Sequence, residues 1–326
     1  MVLRTARVRV AVREERRPAA GWGLGRQGVD LAAAPGVKRQ LVEPRLRALV
    51  VDRGQRRGLR APLPPEEKQV RSGPCPCQAP PVDREQISRL AHTDHPIAAP
   101  LDDDSVRRLL ERGIRRNSTR VLDLGCGGGD WLLRALTTHP RLRAEGVDTS
   151  ERSLAHALES ARTRGLQERL ALHHEDAADF VAPHLFDLVI SVGATHAFGG
   201  LLPTLAAARK HLAPGGRVLI GDAFWEHEPS PDAIEMLGDF TDLSTTVDRV
   251  IADGWTPVHG HISTRQELDD YEWAWTGALA SWALDHPDDP DSPRALAAAT
   301  THRAEWLRVY RDSFGFVCLV LRRTSD

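Results

Sequence analysis

Apolar runs alternate with helical periods across the middle of the chain. The apolar runs predict five strands, at 120–125, 143–148, 170–175, 186–192 and Arg217–Gly221. Apolar residues three and four positions apart predict helices between these strands, near 129–138, 150–164 and 202–212. This alternation is typical of a parallel sheet with helices on both faces.

Capping residues mark several of the helix ends. Ser150 predicts an N-cap, and Gly165 predicts the stop of the same helix. The segment 212–216, Leu-Ala-Pro-Gly-Gly, predicts a helix stop followed by a tight turn into the fifth strand. Thr264 and Glu267 have the spacing of a capping box, which predicts a helix across Leu268 to Asp285.

The two ends of this region add further elements. Strands fit 256–263 and 315–323, and Pro293 starts a last helix that ends near Ser313. Seven strands are therefore predicted. Ahead of the first strand, residues 86–92 and 104–110 predict two helices, the second with Gly113 as its C-cap.

Residues 1–82 have no sustained hydrophobic period and a different composition. They carry 17 basic and 7 acidic residues, a net charge of +10, and 10 of the 22 prolines. The rest of the chain, with 26 basic and 38 acidic residues, has a net charge of −12. Three interpretations fit: a basic arm for nucleic acid or acidic partners, an organelle transit peptide, or sequence that is not natively translated. Arginine outnumbers lysine 40 to 3, as in a GC-rich genome, where chance upstream reading frames are common. Disorder or a misplaced start is favoured over a functional arm.

Cysteine and apolar content exclude several classes of protein. Four cysteines in 326 residues do not form a disulfide framework. Cys75 and Cys77 are too close for the usual zinc pair, and His92 with His95 could be metal ligands but more often would line a loop. No apolar run reaches 18 residues, and arginines interrupt any secretory signal at the start. A cytoplasmic location is expected.

The stretch Val121–Trp131 carries the strongest chemical signal. An apolar strand ends in Asp123, Leu124 and a G-x-G-x-G turn formed by Gly125, Gly127 and Gly129. Glycines let the backbone turn tightly and bring its N–H groups against a ligand that a Cβ would obstruct. Asp148 ends the next strand.

Together these residues resemble motif I and the following acidic position of the class I S-adenosylmethionine-dependent methyltransferases, as does the 212–216 turn. The resemblance implies a doubly wound, mostly parallel seven-stranded sheet and S-adenosylmethionine as cofactor. It also implies a division of the chain: 83–116 as N-terminal helices, 117–225 as the cofactor-binding core and 226–326 as the substrate side.

Site residues follow from the same resemblance. It implies that the glycines and Asp123 cradle the cofactor, that Asp148 accepts both ribose hydroxyls, and that Asp176 and Ala177 hold the adenine. It further places Cys126, Thr149 and Ser191 at the cofactor. Trp131 either flanks the sulfonium or packs on the sheet.

The residues that would bind the methyl acceptor are less clearly indicated by the sequence. Residues 191–200 lack the Asp/Asn-Pro-Pro-Tyr/Phe signature of nucleobase methylases, which favours a small-molecule acceptor and makes nucleic acid unlikely. His196 is the one titratable side chain there, a general base or a lining residue. Residues 222–227 follow the fifth strand, and either hold an acceptor or pack as a loop. Tyr271, Trp275 and Trp282 share a helix face, which favours core over a substrate box.

Two other functions are weighed against methyl transfer. A dinucleotide-dependent oxidoreductase needs G-x-G-x-x-G, but Asp130 stands where the third glycine belongs. A non-catalytic nucleic-acid-binding protein led by the basic arm conflicts with the net charge of −12 on the rest of the chain, which repels phosphate.

Overall fold

A single seven-stranded sheet forms the centre of the computed structural model, which describes Ile87 and residues 90–325. Residues 1–82, which include Cys75 and Cys77, lie outside the described residues. The strands are β1 (Arg120–Leu124), β2 (Arg143–Asp148), β3 (Leu170–His174), β4 (Phe186–Val192), β5 (Leu212–Trp225), β6 (Trp255–Ile262) and β7 (Phe314–Arg323). Their order across the sheet is β3-β2-β1-β4-β5-β7-β6.

All neighbouring strand pairs are parallel except those of β7, which runs antiparallel to both β5 and β6. The predicted doubly wound, mostly parallel sheet is confirmed. Because β6 and β5 are both antiparallel to β7, the end of β6 lies at the same edge as the ends of β1 to β5. We call this the carboxyl edge. The connection 263–313 between β6 and β7 starts and finishes there.

Helices connect the strands and cover both faces. They are α1 (Asp103–Gly113), α2 (Asp130–Thr138), α3 (Glu151–Thr163), α4 (Leu201–His211), α5 (Pro231–Leu237), α6 (Leu243–Ala252), α7 (Arg265–Asp285) and α8 (Ser292–Glu305). The predicted N-cap Ser150 accepts a hydrogen bond from the Ser153 N–H, and Gly165 has φ +66° just beyond α3. The capping box of Thr264 and Glu267 is also confirmed.

Three local predictions need correction in whole or in part. Gly113 is the last residue of α1 and the C-cap is Ile114, whose φ is −82°. Gly113 is small for another reason: an added Cβ would lie 3.1 Å from the Leu188 side chain. The helix stop predicted at 212–216 is confirmed, since α4 ends at His211. The segment nevertheless belongs to β5, because Leu212 pairs with Phe186, and the register then shifts before Arg217, where Gly215 has φ +68°. The last helix ends at Glu305, and Trp306–Tyr310 continue as one π-helical turn.

Apolar side chains fill the space on both faces of the sheet. One cluster joins α1, α2 and α3 to the sheet and includes Trp131, which is 6% exposed. The packing interpretation of Trp131 is therefore the one that the structure supports. The other cluster joins the opposite face to α4 and α6. Tight packing of this kind fixes the strand ends that carry the site.

A third apolar cluster joins α7 and α8 to the segment around Ala91. Trp275 and Trp282 belong to this cluster, as expected if the aromatic residues on that helix face are part of the core. Tyr271 lies beside the two histidines: its hydroxyl is 3.1 Å from His92 Nε2, and its ring packs edge-on against His95. Within residues 90–325 there is no group of side chains able to hold a metal. No described helix has the length and apolar content to cross a bilayer.

Candidate cofactor site

The glycine turn after β1 uses each of its three glycines differently. All have positive φ: +85° at Gly125, +49° at Gly127 and +73° at Gly129. A Cβ on Gly125 would lie 2.5 Å from the Ala194 Cβ, and one on Gly129 would lie 3.1 Å from the Ala157 Cβ. A Cβ on Gly127 would meet nothing within 4 Å. Gly127 therefore borders open space, whereas the other two permit close packing of the chain.

Backbone hydrogen bonds fasten this turn to the end of β2. The N–H groups of Gly125 and Cys126 both donate to the Val147 carbonyl, at 2.9 and 3.0 Å. The Cys126 side chain is buried below the turn, since a Cβ on Gly146 would lie 2.7 Å from its sulfur. Its side chain thus supports the turn from beneath.

Asp148 is held by the same turn. Its Oδ2 accepts the Gly127 N–H at 2.8 Å, and its Oδ1 accepts the Ser150 N–H at 2.9 Å. Each carboxylate oxygen can accept a second hydrogen bond. The carboxylate is thereby fixed beside the open space at Gly127, with capacity for further donors.

Asp123 lies beneath the turn and is 2% exposed. Burial raises its pKa to about 8, and the charge of Asp148 adds to this effect. Since the unfolded carboxyl ionises near pH 4, the unfolded chain loses this proton at a much lower pH than the folded chain. Stability therefore falls as pH rises from about 4 to about 8.

Replacing Asp123 by Asn should remove this pH dependence. We expect the unfolding free energy of Asp123→Asn, relative to wild type, to rise between pH 5 and pH 8 by on the order of 1 kcal/mol or more. Urea titrations at several pH values measure it. A constant difference between the two proteins across this range would contradict the raised pKa.

The predicted adenine residues lie at the end of β3. Asp176 is exposed, and its Oδ1 accepts the Ala178 N–H at 2.9 Å. Ala177 is buried. Thr149, after β2, accepts the His174 Nε2 hydrogen bond on its carbonyl at 3.0 Å. Asp148 and His174 are register partners in β2 and β3, so these residues share one end of the carboxyl edge.

The segment after β4 lies on the other side of the glycine turn. The Ser191 hydroxyl is buried and donates to the Leu124 carbonyl at 3.0 Å, which ties the ends of β4 and β1 together. Residues Thr195–Phe198 then form a 3-10 turn that carries His196. His196 keeps an exposed surface, yet neighbouring protein atoms lower its pKa by excluding part of the surrounding water. The Gly193 backbone and the Asp148 charge act in the opposite direction.

A contact that the sequence did not predict braces this turn. Asp222, near the end of β5, accepts both the Thr195 hydroxyl and the Ala223 N–H at 2.9 Å. Burial raises the pKa of Asp222 to about 6. The sequence placed Asp222 after the fifth strand, in a segment that either holds an acceptor or packs as a loop, whereas β5 extends to Trp225. A strand-end carboxylate does not reveal a partner 27 positions away.

This strand order, with a glycine turn after β1 and an acid after β2 at the carboxyl edge, defines a class I methyltransferase fold. The comparisons with known proteins agree. Residues 121–216 match the family model described as a methyltransferase domain. A methyltransferase of Geobacter sulfurreducens, solved in complex with S-adenosylhomocysteine, is 26% identical with a TM-score of 0.67. The alignment covers 73% of this chain and 98% of that one.

Two further proteins are similar to this chain in sequence. The uncharacterized protein YjhP of Escherichia coli is 27% identical over 72% of this chain and 97% of its own length. A ubiquinone biosynthesis O-methyltransferase of Aromatoleum aromaticum is 30% identical over 43% of this chain and 61% of its own. The chain is a class I S-adenosylmethionine-dependent methyltransferase, and S-adenosylmethionine is its cofactor.

Proposed function

We propose that this enzyme methylates a small-molecule acceptor, with the cofactor lying against the glycine turn and Asp148. The observation that carries the proposal is the open space at Gly127 beside a carboxylate fixed by two backbone N–H groups. We assign to the cofactor the residues predicted from the sequence: Asp123, Gly125, Cys126, Gly127, Gly129, Asp148, Thr149, Asp176, Ala177 and Ser191.

The residues present fit the groups of this cofactor. The free lone pairs of Asp148 suit two ribose hydroxyls, and hydrogen bonds to a charged group contribute about 1.5–3 kcal/mol each. Asp176 uses one oxygen on the Ala178 N–H, which leaves the other for the adenine amine. Cys126 and Ser191 act through the backbone they support, and Asp123 lies directly below.

Methyl transfer is a displacement at carbon, so the protein mainly aligns the reactants and excludes water. The bound cofactor supplies a methyl group activated by a positively charged sulfur. The connection 263–313 starts and finishes at the carboxyl edge, where Arg265 pairs with Glu226 just beyond the end of β5. We therefore assign the acceptor side to 226–326 and the cofactor core to 117–225, following the N-terminal helices at 83–116.

Three observations support a small-molecule acceptor. Residues 191–200 lack the signature that holds nucleobase amines, and residues 83–326 carry a net charge of −12, which repels nucleic acid. The ubiquinone biosynthesis O-methyltransferase among the relatives is named for a small-molecule pathway. The acceptor can be sought by incubating cell extracts with the enzyme and cofactor labelled on the methyl group.

Ligand binding separates the proposal from the other two functions. Wild-type protein should be stabilised by S-adenosylhomocysteine, by about 2.7 kcal/mol at a hundredfold excess over Kd, and not by NADH or an oligonucleotide. Stabilisation by NADH would replace the proposal with an oxidoreductase. Stabilisation by the oligonucleotide alone would replace it with a nucleic-acid-binding protein.

His196 is assigned as the general base on the acceptor side. Its lowered pKa keeps the imidazole neutral at pH 7, so the rate should fall only when the pH drops below that pKa. His196→Ala should reduce turnover of the acceptor about 100-fold, within the usual range for a general base, with unchanged affinity for S-adenosylhomocysteine. Turnover equal to wild type would leave His196 as a lining residue. Lost cofactor affinity would place it on the cofactor side.

A further inference from the structure

Two arginines face each other across strands at the edge of the sheet opposite the cofactor site. Val218 of β5 pairs with Leu321 of β7 in antiparallel register, so the next pair outward is Arg217 and Arg322. Side chains directly opposite on antiparallel strands lie on the same face, and like charges in that arrangement are destabilising. Two positive charges are thus held together by the register itself.

Two more arginines join them from the end of α1. Arg217 donates a hydrogen bond from Nη1 to the Arg112 carbonyl, in the last turn of α1. A Cβ built on Gly215 would lie 4.0 Å from Nη1 of Arg115, which places that guanidinium over the start of β5. We call Arg112, Arg115, Arg217 and Arg322 the arginine cluster.

The cluster is not neutralised by the described part of the chain. None of its four guanidinium groups makes an ion pair with a carboxylate among residues 90–325. Two acids of adjoining segments are engaged elsewhere: Glu111 with Arg107, and Asp187 with the Thr119 and Arg120 N–H groups.

Burial and the positive charges of the cluster both lower the pKa of Arg217. Burial has the larger effect, and the charges are those of Arg115, Arg322 and Arg112. Nε of Arg217 is buried with no hydrogen-bond partner within the described residues. The hydrogen bond from Nη1 of Arg217 to the Arg112 carbonyl caps the end of α1. This capping role does not account for the unpaired Nε of Arg217 or for the presence of the other three arginines. A buried donor without an acceptor, in a cluster of like charges, is a position where an anion would find a hydrogen-bond donor.

We propose that the arginine cluster is a binding site for a small phosphate-bearing anion. The planar guanidinium fork matches phosphate oxygens in pairs, and a phosphate monoester carries a charge of about −1.5 to −2, which suits several arginines better than a single carboxylate does. The site is at the amino ends of the parallel strands, so it is separate from the cofactor and independent of the proposed acceptor. The four positive charges of the cluster also contrast with the net charge of −12 on residues 83–326.

The test compares phosphate binding by wild type, Arg322→Gln and Arg294→Gln, at constant ionic strength. Arg322 is exposed and makes no described side-chain hydrogen bond, so its loss should leave the fold intact. Arg294 is an exposed arginine at the start of α8, which belongs to the connection at the carboxyl edge, and it is the matched control. The measurements are phosphorus NMR titration with inorganic phosphate and the melting temperature with and without it.

We expect Arg322→Gln to weaken phosphate binding at least about fivefold and Arg294→Gln to leave it unchanged. Without phosphate at low salt, Arg322→Gln should melt at or about 1 °C above wild type, because a like-charge pair is relieved. Affinity for S-adenosylhomocysteine should be equal in all three proteins. Equal phosphate affinity in wild type and Arg322→Gln, or an equal loss in Arg294→Gln, overturns the site.

A single-stranded oligonucleotide distinguishes the two sources of phosphate. If it binds and inorganic phosphate does not, and if Arg322→Gln removes that binding, the cluster is a nucleic-acid contact and the small-anion proposal is wrong. No binding of the oligonucleotide, together with the expected response to inorganic phosphate, supports the proposal.

Discussion

Gly127→Val should lower the affinity for S-adenosylhomocysteine about 100-fold or more without preventing folding. Its Cβ would project into space that contains no protein atom within 4 Å, beside the Asp148 carboxylate. If the cofactor occupies that space, the valine methyls displace it, and a loss of about 2.8 kcal/mol corresponds to a hundredfold change in Kd. Calorimetric titration gives the affinity, and circular dichroism reports the fold.

Gly165→Val is the matched control for this change. Gly165 also has a positive φ, +66°, and an added Cβ there would likewise meet nothing within 4 Å. Both variants impose the same left-handed strain on a β-branched residue, on the order of 1–2 kcal/mol. Only Gly127→Val should lose the ligand. Normal binding by Gly127→Val would mean that the turn is structural, and the cofactor assignment would fail.

Asp148→Ala should weaken S-adenosylhomocysteine binding by about tenfold or more and also destabilise the protein. The first effect is the loss of charged hydrogen bonds to the ribose. The second arises because the N–H groups of Gly127 and Ser150 lose their acceptor, at a cost of about 1–2 kcal/mol in unfolding free energy at this partly exposed position. Calorimetric titration and urea denaturation measure the two effects separately.

Asp187→Ala separates ligand binding from stability. Asp187 Oδ2 also accepts two backbone N–H groups, from Thr119 at 2.7 Å and Arg120 at 3.1 Å, but at the amino ends of the strands. Its loss should lower stability by a similar amount and leave S-adenosylhomocysteine affinity unchanged. Equal affinity losses in Asp187→Ala and Asp148→Ala would show that the ligand responds to stability rather than to Asp148.

The sequence predicted which residues form the candidate site, but not which of its glycines borders open space. The three glycines and Asp148 were predicted from a pattern within a few positions of two strand ends, and they do lie at one edge. The pattern did not indicate that Gly127 alone borders open space. That distinction depends on Ala194 and Ala157, which approach Gly125 and Gly129 from distant segments of the chain.

The sequence by itself determined the elements and their order. Hydrophobic period, glycine and the capping box of Thr264 and Glu267 act over a few residues, so β2 and β4 were predicted with the bounds that the structure shows. It misjudged Gly113, which packs against Leu188 inside the last turn of α1, and it missed that the fifth strand already begins at Leu212, which pairs with Phe186.

Only the tertiary structure decided which distant side chains meet. The brace from Asp222 to Thr195 joins residues far apart in sequence, and the approach of Arg217 to Arg322 follows from the antiparallel register of β5 and β7, in which they come next after Val218 and Leu321. The raised pKa of Asp123 likewise follows from burial beneath the glycine turn. Such contacts and electrostatic effects depend on distances between elements, and no local pattern of residues specifies those distances.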